Sequence, residues 1–273
     1  MARKIAATPE IKKEAANGKR TASAAPTRPQ SMALRGVGNL PGKGFENLER
    51  GDILLPRVTL LQPLSSEVTE GGQKAGTIFL NLSNKNLGKE VLITPVLHFR
   101  SRIKWNPRDD GGGIDCSSSD AKVPTTNKYA EQCAVCKHKE WDNEAKTRKD
   151  QAPACTLYEN FVVLLPSETG VVVLPMERTK TKVAKKFYSM AALKGGDMFD
   201  FTYKLSTTQE KNADGQTYFN YQVADIGKVT SEKERAQANK IWAALQQATI
   251  RTEERAPEES IGAVQQSAAS KNF

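Results

Sequence analysis

The sequence predicts a mainly β chain with two helices, an α+β fold whose strands form a small closed or partly open barrel carrying an inserted zinc-binding lobe. Three observations predict it. Apolar segments of strand length, bounded by Gly, Pro and Asn, recur between residues 53 and 226. Only two stretches, 179–193 and 231–249, have helical length and helical boundaries. All four cysteines, Cys116, Cys133, Cys136 and Cys155, fall in one hydrophilic stretch between two strand-like segments.

The elements follow in order. Segment 53–61 reads as a short strand interrupted by Pro56, and 77–82 as a second, followed by a turn over 84–88. A long strand runs over Glu90–Trp105. Beyond the cysteines, 156–165 and 171–174 are strands joined by a loop over 166–170. The first helix, 179–193, is stopped by Gly195 and Gly196. A hairpin follows, with strands 198–206 and 217–226 and Asp214-Gly215 in its loop. The last helix opens on Ser231-Glu232-Lys233-Glu234, a capping box in which serine and glutamate satisfy unpaired backbone donors. The expected organisation is a disordered basic arm over 1–45, a core over 46–230 with the lobe at about 106–155, a C-terminal helix over 231–250 and a flexible tail over 251–273.

The cysteines carry the clearest chemistry. Cys133-Ala134-Val135-Cys136 is a C-x2-C knuckle, and Cys116 and Cys155 stand one on each side of it. Two thiolates at that spacing chelate one tetrahedral ion, and two more complete a structural zinc shell. Asp115, Ser117, Glu131, Lys137 and Asp142 surround them, which is not the company of buried structural thiols. Disulfides need an oxidising compartment. The N-terminus has positive charge but no apolar run behind it, so a secretory leader is not expected. His138 is a substitute ligand, though a solvated surface histidine is the plainer reading.

Charge is the second signal. The formal net charge is +9, and a balance of that size suits polyanions, nucleic acid before an anionic membrane. No segment approaches the ~20 apolar residues that span a bilayer, and the expectation is a cytoplasmic protein. The first 35 residues hold Arg3, Lys4, Lys12, Lys13, Lys19, Arg20, Arg28 and Arg35 against Glu10 and Glu14, with almost no large apolar residue. Such a segment cannot bury enough surface to offset chain entropy. It reads as a basic arm for a phosphate backbone, or as a solubilising tail.

Along Glu90–Trp105, alternation puts Val91, Ile93, Leu97, Phe99 and Ile103 on one face and His98, Arg100, Arg102 and Lys104 on the other. The cations then repeat every ~6.6 Å, close to the phosphate spacing of an extended strand. Trp105 ends the stripe. A second basic group, Arg178, Lys180, Lys182, Lys185 and Lys186, lies at the start of the first helix, followed by Phe187 and Tyr188. Cations are unfavourable at a helix N-terminus, so a bound anion is the more natural explanation. In the hairpin, Phe199, Phe201, Tyr203 and Leu205 alternate onto the core face. Tyr218, Phe219 and Tyr221 occupy both faces of its second strand, and an aromatic outside the core can stack an unpaired base. For any single aromatic here, ordinary packing competes with that role. The candidate nucleic-acid contacts are therefore Arg100, Arg102, Lys104, Trp105, Lys182, Lys185, Lys186, Tyr188 and Tyr218.

The stripe, the Cys116…Cys133-x-x-Cys136…Cys155 insertion and the Tyr218–Tyr221 aromatic strand together resemble phage-type single-stranded-DNA-binding proteins, over roughly residues 50 to 230. The resemblance implies an OB-like barrel with an inserted zinc subdomain. It also implies sequence-tolerant binding of single-stranded DNA in replication, recombination or repair, with replication or recombination proteins engaged through the C-terminal tail. Two departures stand out. The best-known phage version uses a histidine with three cysteines at a different spacing, and its tail is strongly acidic, whereas this chain has four cysteines and a near-neutral tail ending at Phe273.

Two other classes fit the same features. One is a zinc-ribbon accessory factor whose lobe grips a polymerase. The other is a basic virion or assembly protein. An enzyme is not expected: there are two histidines, no Gly-x4-Gly-Lys-[Ser/Thr] phosphate loop and no nucleophile motif.

Overall fold

The computed structural model describes residues 54–107, 112–145, 151–166, 168, 170–212, 215–246 and 250, all within the unit Ser31–Phe273. The expected basic arm (1–45) and C-terminal tail (251–273) lie outside the described residues, as do 108–111 and 146–150 of the cysteine segment.

Among the described residues nine strands form two sheets. The smaller has the order β1 (Val58–Leu60), β2 (Ile78–Leu80), β3 (Lys85–Gly88). The larger contains β4 (Glu90–Trp105), β5 (Ile114–Ser118), β6 (Cys155–Leu164), β7 (Val171–Glu177), β8 (Phe201–Lys211) and β9 (Thr217–Lys228). Its order is β7-β6-β4-β8-β9, with β5 also on β4, and every strand pair is antiparallel. The α-helices lying wholly among the described residues are α1 (Ser66–Thr69), α2 (Thr181–Lys194) and α3 (Glu232–Leu245).

The fold is mainly β, as expected, but the strands form no closed barrel among the described residues. The two sheets meet at one parallel bridge, Arg57 with Val173, where Val173 N–H donates to Pro56 O at 2.8 Å. Pro56 has no N–H to continue a ladder, so the contact stays a bridge. The turn expected over 84–88 lies earlier: Asn84 takes a positive φ of 49°, and Lys85–Gly88 is strand.

Both faces of the large sheet are covered, and this explains the continuous apolar runs of β6 and β7. On one face, Phe161, Val163, Val172, Leu174 and Met176 pack with Val58, Leu60, Ile78 and Leu80 of the small sheet and with Ala184, Phe187 and Ala191 of α2. The Phe187 ring stands 4.6 Å from Phe161 and 4.9 Å from Tyr203. On the other face, Val96, Val162, Val171, Val173 and Phe199 pack with Ala238, Ile241 and Leu245 of α3. Ser231 Oγ caps α3 by accepting from Glu234 N–H at 3.3 Å.

The long strand departs from strict alternation. A bulge between Pro95 and Leu97 inserts Val96 and reverses which face each later residue takes. Val91 and Ile93 therefore belong to the α2-side core, whereas Leu97 and Phe99 pack in the α3-side core. The expected single apolar face is divided between two cores. His98, Arg100, Arg102 and Lys104 lie on the α2 side, in register with Phe161, Glu159, Leu157 and Cys155 of β6.

Candidate nucleic-acid interface

β4 has different neighbours along its length, and this makes a groove. One edge pairs with β6 from Thr94 to Lys104. The other pairs with β8 over Glu90–Ile93 and with β5 over 102–105. Between them, from Thr94 to Ser101, no strand among the described residues covers the second edge. A cavity of about 750 Å³ lies at this gap, lined by His98, Arg100, Asp120, Lys122, Tyr188 and Met198 among others. A second cavity of about 420 Å³ is lined by Arg102, Lys122, Lys139, Gln132 and Cys133 with small apolar side chains. Lys122 borders both.

A buried carboxylate organises the stripe. Glu159 is 1% exposed, accepts from Arg100 Nε at 3.1 Å through both oxygens, and lies 2.7 Å from His98 Nε2. It raises the Arg100 pKa by hydrogen bond and charge, against the opposing effect of burial. The Arg100 side chain remains 52% exposed at the groove. Tyr188 sits over the same site, its ring 5.5 Å from His98.

Lys104 is engaged differently. Its ammonium bonds the Asp115 carboxylate and Tyr129 Oη. Asp115 also accepts from Lys128 Nζ and Tyr129 Oη, each at 2.5 Å. These bonds hold its carboxyl well below the usual aspartate range, against burial. Lys104 thus serves to fasten the cysteine lobe to β4. Trp105 is half-buried, and its Nε1–H donates to Tyr158 Oη at 3.4 Å. Tyr218 donates to Glu210 at 2.5 Å, on the hairpin.

On α2, Ala184, Phe187 and Ala191 are buried, and Lys182, Lys185 and Lys186 are exposed. Lys185 is three residues before Tyr188 and so its neighbour on the helix surface, whereas Lys182 and Lys186 are four apart and neighbour each other. The groove lining from α2 is Tyr188, Ala191 and Ala192. The 3-10 turn Arg178–Lys180 precedes the helix with Arg178 at a φ of 52°, and the first turn holds no acid. The structure thus brings Arg100 and Tyr188 together at the larger cavity, puts Arg102 on the smaller one, and leaves Lys182, Lys185 and Lys186 exposed on α2 outside both linings. It ties Lys104 to Asp115 and Trp105 to Tyr158, and leaves Tyr218 on another element.

Four contributors escaped the sequence reading. Glu159 had a signal, a lone carboxylate in an apolar strand. Lys122, Lys139 and Asp120 had none, because they lie in a polar segment without periodicity.

The thiols approach one another from three segments. Cys116 on β5 and Cys155 on β6 flank Lys104 at the same register position of β4. Cys133 is buried at the start of a 3-10 turn, and Cys136 N–H donates to Cys133 O at 3.4 Å. All four are free of disulfides. Burial pushes the Cys116 thiol up, with like charge from Cys133 and Cys136 adding. Burial also pushes Cys155 up, and the Arg102 guanidinium beside it pulls partly back. The donor chemistry fits zinc, although among the described residues no three His, Cys, Asp or Glu side chains form a ligating group. His138 packs its ring 4.4 Å from Tyr129, and burial lowers its pKa.

The Pam3 phage gp34-like protein family matches residues 26–251, most of the chain. The chain belongs to that family. The match spans both sheets, the cysteine lobe and both main helices, so groove and thiols lie inside the family region. No curated protein and no solved structure matches the chain. Among the described residues no helix is long and apolar enough to cross a membrane.

Proposed function

We propose that this phage-family chain is a sequence-tolerant single-stranded-DNA-binding protein acting in replication, recombination or repair. The observation that supports it best is the stretch of β4 edge with no strand partner among the described residues, set in a concave groove with Arg100, Lys122 and Tyr188 on its walls. Cations two residues apart along a strand match successive phosphates, and an aromatic ring beside them gives an unpaired base a platform. In this reading Arg100, Arg102, Lys122 and Lys185 neutralise phosphates, and Tyr188 stacks a base. Lys104 holds the lobe in place. Duplex DNA would have its bases paired and withdrawn from such a groove.

Cys116, Cys133, Cys136 and Cys155 would hold a structural zinc. When bound, zinc supplies folding energy to the lobe and no reaction chemistry. The lobe carries Asp120 and Lys122, so its order sets one wall of the groove.

A fluorescence-anisotropy titration with labelled single-stranded and duplex oligonucleotides tests the proposal. The expected result is preference for the single strand and a log–log salt slope of about −0.7 for each phosphate neutralised. Absence of affinity at low salt would sink it. The polymerase-gripping alternative draws on the lobe's exposed Val135 and Trp141. It requires that function survive neutralisation of Arg100 and Arg102 but not loss of zinc.

A further inference from the structure

The smaller cavity has its own character. Its walls are the short side chains of Ala121, Val123, Ala134 and Cys133 with the Gln132 amide, and its charged lining is Arg102, Lys122 and Lys139, with no carboxylate. At about 420 Å³ it is at the small end of ligand pockets, which run from about 300 to 1,000 Å³.

The loop that forms one wall is fixed in place. Asp120 Oδ1 accepts from Lys122 N–H at 2.7 Å, Val123 N–H at 2.9 Å and Ser118 Oγ at 2.9 Å. Ala121 between them adopts a left-handed φ of 57°, which those bonds over-determine. Lys122 and Val123 are therefore held in place as neighbours in the lining. In the same lining Lys139 donates to Ala134 O, pinning the lysine against the knuckle. Arg102 is the residue of β4 in the lining. It is two residues beyond Arg100 on the same face of β4, about one phosphate step away.

We propose that this pocket holds one unpaired nucleotide, the base against Val123 and Ala134 and the phosphate among Arg102, Lys122 and Lys139. The inference rests on the single-strand reading above and deepens it. The strand passes from the larger groove to the smaller at Lys122, and the neighbouring nucleotide is inserted beneath the cysteine lobe. Enclosure between lobe and sheet discriminates against duplex, because a paired base carries its partner into the wall. The apolar contacts with the base are aliphatic, and the Gln132 amide, exposed and able to turn either its donor or its acceptor to a base edge, singles out no one base, so the pocket accepts any base.

Two surface variants test it, Ala134→Glu and Lys139→Ala, with Arg100→Ala as a control in the larger groove. Each is titrated with a fluorescein-labelled oligothymidylate of roughly 12 nucleotides, within the range of known single-strand site sizes, and its melting curve is compared with that of the wild type. The expected result is at least tenfold weaker binding for Ala134→Glu at unchanged melting temperature. Lys139→Ala should bind several-fold more weakly with the salt slope reduced by about 0.7. An oligonucleotide scanned with single abasic positions should lose affinity at one position in wild type and not in Ala134→Glu. If both lobe variants bind as the wild type does while Arg100→Ala is weakened, the pocket assignment is overturned and the groove reading stands. If the wild type binds no single strand at low salt, both fail together.

Discussion

Arg100 and Glu159 are joined across two strands by a pair with one end in water and the other out of it. The Arg100 Nε–H reaches both Glu159 oxygens at 3.1 Å, and His98 Nε2 lies 2.7 Å from the second oxygen. The carboxylate is the buried partner, so it both anchors the stripe and offsets part of its charge.

Glu159→Gln should therefore act in opposite directions on two readouts. Loss of the charged acceptor should lower stability by about 1–3 kcal/mol, read as a lower melting temperature. Removal of its negative charge should tighten oligonucleotide binding several-fold at low salt. Unchanged or weaker binding by a folded variant would mean that Glu159 aims Arg100 and does not mask it.

Gly76→Ala should destabilise the junction between the two sheets. Gly76 has a φ of 80°, and an added Cβ would lie 2.5 Å from the Phe219 ring. Gly76 N–H donates to Leu61 O, and its carbonyl accepts from Thr207 Oγ1, both at 2.8 Å, so the backbone has little room to yield. The expected cost is about 1–3 kcal/mol by chemical denaturation. Oligonucleotide affinity should be spared in the folded fraction, because the groove lies elsewhere.

The lobe's attachment should be sensitive to acid. Bonds from Lys104, Lys128 and Tyr129 depress the Asp115 pKa in the folded chain. A depressed carboxylate contributes stability that is complete above its unfolded pKa of about 3.9 and declines as pH falls below that value. Asp120, lowered by the Val123 and Lys122 amides, acts in the same direction within the same lobe. Hydrogen-exchange protection over 114–139, taken relative to the intrinsic rate at each pH, should therefore fall below about pH 4. Asp115→Asn should show quicker exchange already at neutral pH and a shallower acid step. An acid step of unchanged size in Asp115→Asn would assign the effect to other carboxylates.

Purified protein is expected to carry zinc at one ion per chain by elemental analysis. A chelator should loosen 114–139 while leaving the Phe161–Phe187–Tyr203 core intact, since metal binding energy is folding energy for the segment that supplies the ligands. Cys133→Ser with Cys136→Ser should reproduce the chelated state. Metal-free protein with a fully protected lobe would remove zinc from the account.

Much of the fold was legible in the sequence, for identifiable reasons. β4 spans the expected Glu90–Trp105 because alternating apolar and charged residues leave little choice of register. The hairpin and both main helices fall within a few residues of expectation, since glycines and a serine cap mark their ends. β5 was not foreseen: Ile-Asp-Cys-Ser-Ser has no strand pattern and is recruited by the edge of β4. The Val96 bulge exchanged the cores of Leu97 and Phe99, and Pro95, which has no N–H for a ladder, was its one local sign. The cationic stripe was visible as a stripe. That Lys104 is tied to Asp115 while Arg100 keeps an open side depends on partners 11 and 59 residues away, beyond any local pattern.

The most direct test of the groove is a contact map. An oligonucleotide carrying photoreactive 4-thiothymidine is bound, irradiated and digested, and the attached peptides are identified by mass spectrometry. The account expects attachment to peptides containing Tyr188, residues 98–102 of β4 and residues 119–123 of the lobe. Attachment confined to 217–228 of β9 or to α3, with β4 and the lobe unmarked, would contradict it.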